Sequence, residues 1–382
     1  MIVSLLKYFL KCYGILYKIA AHWLSKILFT SSSRTTAWAL CTVPMLVSLL
    51  IVHACASLCP AAKHIEAKGI VAPPRGLNAL AGVLSLQPGF QELGPDERKG
   101  VHPLMVPLAL APKTGEVSGV LAVPGAVDVD PVRFVPVTTV GRALRPLGEN
   151  CVSAAKRALI ELDLSGAESA DAAIAAAAAD GIVYQRGEAS VPLGKAGAAA
   201  GLAAYILPKV GPFADIYERL AKMHLDKGSE ASALVTCERA QRAFSEWGSP
   251  YAFHAHVQKK FGRADEARDI ARLALSKPLW SLGQFAAPET LVALTEMAKY
   301  GAPEPSREWY ASVMHLEQGA EPYRMPNGAS MGFQRPSLKE SEFVMALPFL
   351  DPDVHSWDSI CEELAACFES EGRKDLAQLV LS

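Results

Sequence analysis

Residues 217–250 read YERLAKMHLDKGSEASALVTCERAQRAFSEWGSP, and residues 251–278 continue as YAFHAHVQKKFGRADEARDIARLALSKP. An offset of 34 residues between the two segments brings identical residues into register. The matched pairs are Tyr217 with Tyr251, Ala221 with Ala255, Gly228 with Gly262, Ala233 with Ala267, and Ala240 with Ala274. A fixed period of this length is typical of repeat architectures, in which each unit buries its apolar face against the next. We therefore predict tandem structural units in this part of the chain.

The period and register resemble the tetratricopeptide repeat (TPR), a unit of two antiparallel helices. The best single match is Gly262 to Ala267, followed by Ala274, Leu275 and Pro278. The resemblance implies that the tyrosine opens the first helix, the glycine forms the turn, and the alanines let the second helix pack closely. It departs from the family pattern at the two bulky aromatic positions, which hold His224 and Gln258 in the first helices and Cys237 and Ala271 in the second helices. The same spacing returns near the C-terminus around Gly372, so the resemblance covers residues 212–317 and 356–382.

Stacked helical repeats form a concave groove that binds partners. The TPR resemblance therefore implies a non-enzymatic scaffold or assembly factor with protein partners. Tyr217, Tyr251 and Trp280 are the candidate groove contacts, with packing inside the repeat as the alternative for the two tyrosines. The predicted turn glycines are Gly228, Gly262 and Gly372.

Residues 101–165 have the pattern of a small α+β domain. Three β-rich apolar runs, at 104–111, 116–123 and 132–140, predict a small antiparallel sheet. Pro107 and Pro136 lie inside two of these runs, which predicts that they are at sheet edges or bulges. Asn150 has the position of an N-cap for a helix that covers one face of the sheet. The predicted fold class is thus α+β: a sheet with a covering helix, then an array of helical hairpins.

The remaining segments are assigned from composition. Residues 66–100 are rich in proline and glycine and are predicted to be a linker with at most one short helix, and residues 166–211 are an alanine-rich helical segment. A loop is predicted at 318–337. Residues 338–382 contain ten acidic residues against three basic ones, and are predicted to form an acidic helical cap at the C-terminus.

The first 65 residues contain no Asp or Glu but five lysines and one arginine. Their first part predicts a basic amphipathic helix, and residues 36–59 form an uncharged, mostly apolar run long enough to span a membrane. Two interpretations remain open: a removable targeting segment, with small residues at Ala54 to Ser57 for cleavage, or a retained membrane anchor. Removal of residues 1–65 changes the formal charge from -2 to -8. A body with this charge disfavours nucleic-acid binding.

A second resemblance concerns location. His102 to Leu104 and Pro107 to Ala109, followed by a sheet and helical hairpins, are similar to uncharacterised nuclear-encoded plastid proteins of plants and algae. This resemblance implies a plastid, with a mitochondrion as the alternative.

No catalytic, metal-binding or cofactor-binding motif emerges from the sequence, so no cofactor and no metal are expected. The enzyme hypothesis would need a site between the sheet and the repeats, around His102, Cys151 and Asp128. A third hypothesis is a structural subunit of an organellar membrane complex that retains residues 36–59 as an anchor.

Overall fold

The structure is a computed structural model that describes residues 58–68, 72–124, 132–189, 198–299, 305–313, 323–324, 330–331 and 339–382. The predicted N-terminal amphipathic helix and nearly all of the apolar run at 36–59 lie outside these residues, as does most of the predicted loop at 318–337. Over the described ranges, no helix combines the length and the apolar character needed to cross a membrane.

A five-stranded antiparallel sheet forms the first half of the fold, with each strand paired to its neighbours in sequence. The strands are β1 (Gln91–Glu92), β2 (Met105–Ala111), β3 (Glu116–Val123), β4 (Arg133–Val140) and β5 (Ala143–Pro146). The three long strands are the three predicted runs, and short strands β1 and β5 add the two edges. Together with the helices below, this sheet confirms the predicted α+β class.

The two strand prolines have different environments. Pro107 lies at an irregularity, because the register between β2 and β3 shifts between Pro107 and Ala109. Pro136 lies inside β4, which has β3 on one side and β5 on the other, so the prediction of an edge or bulge is wrong for this residue. Pro136 lies just outside the residues that pair with β5, since that ladder ends at Val137, so its missing N–H is not required there. The Pro136 carbonyl accepts a hydrogen bond of 2.9 Å from the Leu147 N–H.

Four helices accompany the sheet, and the last of them packs on the second and third. They are α1 (Pro60–Ala67), α2 (Leu77–Ser85), α3 (Cys151–Leu164) and α4 (Ala170–Ala179). Helix α3 contacts β4 and begins at Asn150, whose side-chain oxygen accepts from the Ser153 N–H at 2.9 Å, while the Asn150 N–H donates to the Ser153 hydroxyl at 3.2 Å. This reciprocal capping box confirms the predicted helix start.

Helix α2 lies within residues 66–100, which the sequence predicts to be a linker with at most one short helix. Its side chains Leu77, Leu80 and Val83 are at most 1% exposed, and the helix packs against α3 and α4. Gly76, which precedes α2, has φ 85°. Residues around 77–85 are therefore part of the core of the sheet half.

The second half consists of consecutive helices. They are α5 (Ala198–Lys209), α6 (Ala214–Asp226), α7 (Glu230–Ala243), α8 (Gly248–Lys260), α9 (Ala264–Leu275), a 3-10 segment (Leu279–Ala286), α10 (Pro288–Ala298) and α11 (Arg307–Val313). Helix α6 packs against α7 and α8 against α9, so each predicted unit is an antiparallel helical hairpin. The 3-10 segment lies against α8 and β5 and joins the hairpins to the sheet.

The C-terminal residues form α12 (Lys339–Leu350), a short 3-10 turn (Asp358–Ile360), α13 (Cys361–Ser370) and α14 (Lys374–Val380); a two-residue pair, β6 (Tyr323–Arg324) with β7 (Ser330–Met331), precedes them. Helices α13 and α14 share a hydrophobic core with the sheet half. The Arg98 guanidinium donates to the Leu379 carbonyl, and the Trp357 indole N–H donates to the Arg142 carbonyl at 3.0 Å. The C-terminal hairpin therefore packs back on the first half of the chain.

Candidate interaction surface of the helical hairpins

The turns of the two repeated hairpins have the same backbone geometry. Gly228, between α6 and α7, has φ 68°, and Gly262, between α8 and α9, has φ 75°. In each turn the residue after the glycine donates its N–H to the carbonyl that lies four residues before the glycine, at 2.9 and 3.0 Å. The glycine N–H donates to the carbonyl that lies three residues before the glycine. These are the bonds of a helix end closed by a left-handed glycine.

The C-terminal hairpin has the same turn. Gly372, between α13 and α14, has φ 78°, and the two hydrogen bonds recur at 2.7 and 3.1 Å. The alanines that the offset aligns are all buried, which keeps the paired helices close together. They are Ala221, Ala233, Ala240, Ala255, Ala267 and Ala274.

Substitution of Gly262 tests the left-handed turn. Gly262→Ala should lower the free energy of unfolding by about 1 kcal/mol, because the added Cβ meets no atom within 4 Å and only the left-handed backbone is penalised. Gly262→Pro should lower it by about 3 kcal/mol, because proline holds φ near -65° and removes the N–H. Urea unfolding measures both. Gly94→Ala is the control, since its Cβ makes only ordinary contacts, and a Gly262→Pro protein that unfolds at the unchanged urea concentration contradicts the turn.

The three predicted aromatic positions differ in exposure. Tyr217 is half-buried against the core. Tyr251 is also half-buried, its hydroxyl donates to the Ser245 carbonyl at 3.4 Å, and the Lys277 ammonium lies 5.2 Å from its ring centroid. Trp280 is only 8% exposed, so it is a packing residue and presents little surface to a partner.

Trp280 belongs to an aromatic cluster that connects distant parts of the chain. Its ring makes edge contacts with Trp247 and His102, at centroid distances of 5.5 and 5.4 Å. His102 also contacts Trp357, at 4.5 Å. The cluster therefore joins the sheet half, the hairpins and the C-terminal helices.

Six side chains on α6, α8 and the 3-10 segment form a patch that we call the inner face. Lys222, His256 and Gln284 are at its surface, and Glu218, Phe253 and Phe285 are buried beneath them, at 9%, 7% and 8% exposure. The Gln284 amide donates to a Glu218 carboxylate oxygen at 3.1 Å. The Lys222 ammonium lies 5.6 Å from the Phe253 ring centroid, and the rings of His256 and Phe285 are 5.2 Å apart. Lys222 is exposed, and His256 and Gln284 are half-buried. The accessible part of the inner face is therefore a cation, an imidazole and an amide that lie on buried aromatic rings.

Glu218 is the buried carboxyl of the inner face, at 9% exposure. Burial raises its pKa, and the hydrogen bond from Gln284 and the charge of Lys222 only partly oppose that effect. Within the described part of the chain, no cation lies within 4 Å of this carboxylate. Lys222 is the exposed charged side chain of the inner face.

Of the residues of the enzyme hypothesis, the structure describes His102 and Cys151 and places them in different surroundings. His102 is 1% exposed; burial and then the charge of Arg98 lower its pKa to about 3. Cys151 is fully buried, and burial raises the pKa of its thiol to about 12. His102 contacts tryptophans, whereas Cys151 lies close to Cys59 and Asp180. Asp128 is outside the described residues.

An ion pair between the two halves of the chain is absent from the sequence predictions. Arg157 on α3 donates to both carboxylate oxygens of Asp215 on α6, at 2.5 and 2.7 Å, and its guanidinium carbon lies 4.9 Å from the centroid of the Phe213 ring. Burial alone raises the pKa of Asp215, but hydrogen bonds and charge from Arg157, and then Arg219, lower it to about 2. No local signal identifies this pair, because its members are 58 residues apart.

Two family models match the chain in succession. The model described as PAB N-terminal matches residues 60–209, and the model described as PAB middle domain matches residues 214–301. The chain is also similar to an Arabidopsis thaliana protein named "Protein IN CHLOROPLAST ATPASE BIOGENESIS, chloroplastic", with 28% identity over 318 residues that cover 81% of this chain and 87% of the relative. The resemblance to plastid proteins agrees with this relative. The boundary between the two models falls between α5 and α6, next to Asp215.

Proposed function

We propose that this chain is a non-enzymatic assembly factor of the PAB type that acts in a plastid, in the biogenesis of the chloroplast ATPase. The observation that carries the proposal is the similarity to the Arabidopsis protein of that name, which extends over most of both chains. The succession of PAB N-terminal and PAB middle-domain matches supports the same assignment.

The helical hairpins supply the binding surface in this proposal. Their common turns and buried alanines support a TPR-like array, although its aromatic positions are degenerate. The inner face is the part of that array that we assign to a partner, because Lys222 is exposed there beside the Phe253 ring. The partner is an unassembled ATPase polypeptide with an acidic segment, which would pair with Lys222.

Loss and rescue of the gene test this function. Removal of the protein should reduce assembled chloroplast ATPase several-fold, measured on native gels and by ATPase activity, and the wild-type chain should restore it. Because Lys222→Glu reverses an exposed charge on the inner face, it should fold normally but rescue poorly. Lys227→Glu reverses another exposed charge, at the residue after the C-terminal end of α6, and should rescue fully.

Two outcomes would contradict the proposal. Unchanged ATPase levels without the protein would remove the role in biogenesis. Stoichiometric retention of the chain in the finished ATPase would make it a structural subunit instead of an assembly factor. Equal rescue by the Lys222 and Lys227 variants would remove the inner face from partner binding but would leave the role in biogenesis intact.

A further inference from the structure

Helix α8 contains a buried polar pair, His254 and Gln258, one helical turn apart. The two side chains are 4% and 6% exposed, and the Gln258 amide nitrogen lies 3.2 Å from His254 Nε2. The 34-residue offset places Leu220 and His224 at the same positions of α6, where both are half-buried. A buried polar pair therefore distinguishes the second hairpin from the first.

The position of the ring proton follows from the chemistry of the two groups. Burial, and then the charge of Arg263, lower the pKa of His254 to about 4, so the ring is neutral at neutral pH and carries one proton. An amide nitrogen donates hydrogen bonds and does not accept them, so His254 Nε2 is the acceptor in its contact with Gln258. The ring proton is therefore on Nδ1.

Two atoms of this pair keep unused hydrogen-bonding capacity. Neither His254 Nδ1 nor Gln258 Oε1 has a partner among the residues that the structure describes, and both atoms are buried. The buried side chains beside them on α8, which are Phe253, Ala255 and Val257, are apolar and offer no hydrogen bond. Native proteins satisfy nearly all such atoms, and ordered water does so where no protein group is available.

The charged group that acts on His254 does not supply the missing bonds. Arg263 follows the turn glycine, and its guanidinium donates to a Glu266 carboxylate oxygen at 2.8 and 3.0 Å. A guanidinium has only donors, so it cannot accept the Nδ1 proton of His254. Water can satisfy both atoms of the pair, because it accepts through its oxygen and donates through its hydrogens.

We propose that buried water in the second hairpin binds to this pair: its oxygen accepts the proton of His254 Nδ1, and it donates to Gln258 Oε1. The site belongs to the core around α8, so its water exchanges with the solvent only slowly. This site does not depend on the proposed role in ATPase biogenesis.

NMR of the full-length chain, labelled with nitrogen-15, tests the proposal through contacts between ring protons and water. We expect a cross-peak between the Nδ1 proton of His254 and a long-lived water molecule. His256 is the matched control on the same helix, because its Nδ1 atom lies 2.9 Å from the Ala252 carbonyl oxygen and donates to the backbone. A His254 proton without such a contact overturns the proposal, and so does an equal contact at His256.

Replacement of the pair gives a second measurement. His254→Leu combined with Gln258→Leu removes both polar groups, and oxygen-17 relaxation dispersion should then detect at least one long-lived water fewer than in the wild type. Thr236→Val is the control: it removes a buried hydroxyl that already donates to the Ser232 carbonyl at 2.7 Å, so the number of long-lived waters should not change. An unchanged number in the folded double variant overturns the proposal. The NMR experiment on the wild type decides the question even where the double variant does not fold.

Discussion

Replacement of Asp215 by asparagine should lower the free energy of unfolding by about 3 kcal/mol, because it removes the two-bond carboxylate partner of the buried Arg157 guanidinium and leaves only the bond from Arg157 Nε to Glu161. The two side chains are only 12% and 13% exposed, so water replaces the lost partner poorly. Equilibrium unfolding in urea measures the change. Because the pair connects α3 to α6, we also expect the hairpins and the sheet half to unfold less cooperatively in the variant.

Two further variants identify the cause of this loss. Asp171→Asn removes a carboxylate that is 68% exposed in its ion pair with Arg186, and should change stability by less than about 0.5 kcal/mol. Arg157→Met combined with Asp215→Leu replaces the whole buried pair by apolar side chains, and should recover most of the stability that Asp215→Asn loses. An equal loss from Asp171→Asn and Asp215→Asn would contradict a special role for the buried pair.

The same ion pair should make stability depend on acid. The pKa of Asp215 is about 2 in the folded protein against an ordinary value of 3.8, so the unfolded chain binds the proton more tightly. The contribution is therefore fully present above about pH 4 and disappears as the pH falls through 2. It amounts to about 2 kcal/mol. Urea unfolding at several pH values should show this loss in the wild type and not in Asp215→Asn.

The features that the sequence predicts correctly depend on residues close together in the chain. The Asn150 cap uses Ser153, three residues away, and each hairpin turn is closed by hydrogen bonds within six residues of its glycine. The long strands are readable because strands buried on both faces are almost continuously apolar. Such local features have local signals, and a single sequence is sufficient to recognise them.

Contacts between distant segments leave no such signal. Arg98 reaches Leu379 across 281 residues, and Trp357 reaches Arg142 across 215. These contacts return the C-terminal hairpin to the sheet half, which a linear reading of repeats does not anticipate. Only part of the candidate surface is predictable from the sequence. The repeat register identifies α6 and α8, whereas the contact between Glu218 and Gln284 spans 66 residues and has no local signal.

Gly119 is the position at which one methyl group should be most damaging to the sheet. It lies in β3 opposite Pro107, where the register of β2 shifts and the two strands approach closely. A Cβ atom at Gly119 would lie 2.3 Å from the Val106 carbonyl oxygen and 3.0 Å from Pro107 Cα. Both are backbone atoms of a buried strand, so neither can move without breaking the ladder. Gly119→Ala should therefore lower the free energy of unfolding by about 3 kcal/mol or more.

Gly82→Ala is the matched control for Gly119→Ala, because it adds the same methyl group in the same half of the chain. Gly82 lies inside α2, and its new Cβ would meet only the Ala176 Cβ, at an ordinary distance of 3.6 Å. Alanine is the better helix former by about 1 kcal/mol, so this variant should be unchanged or more stable. Thermal and urea unfolding of the two variants should thus move in opposite directions. If Gly119→Ala were as stable as the wild type, β2 and β3 would have to be farther apart at Pro107, and the irregularity there would not be the reason for a glycine in the centre of the sheet.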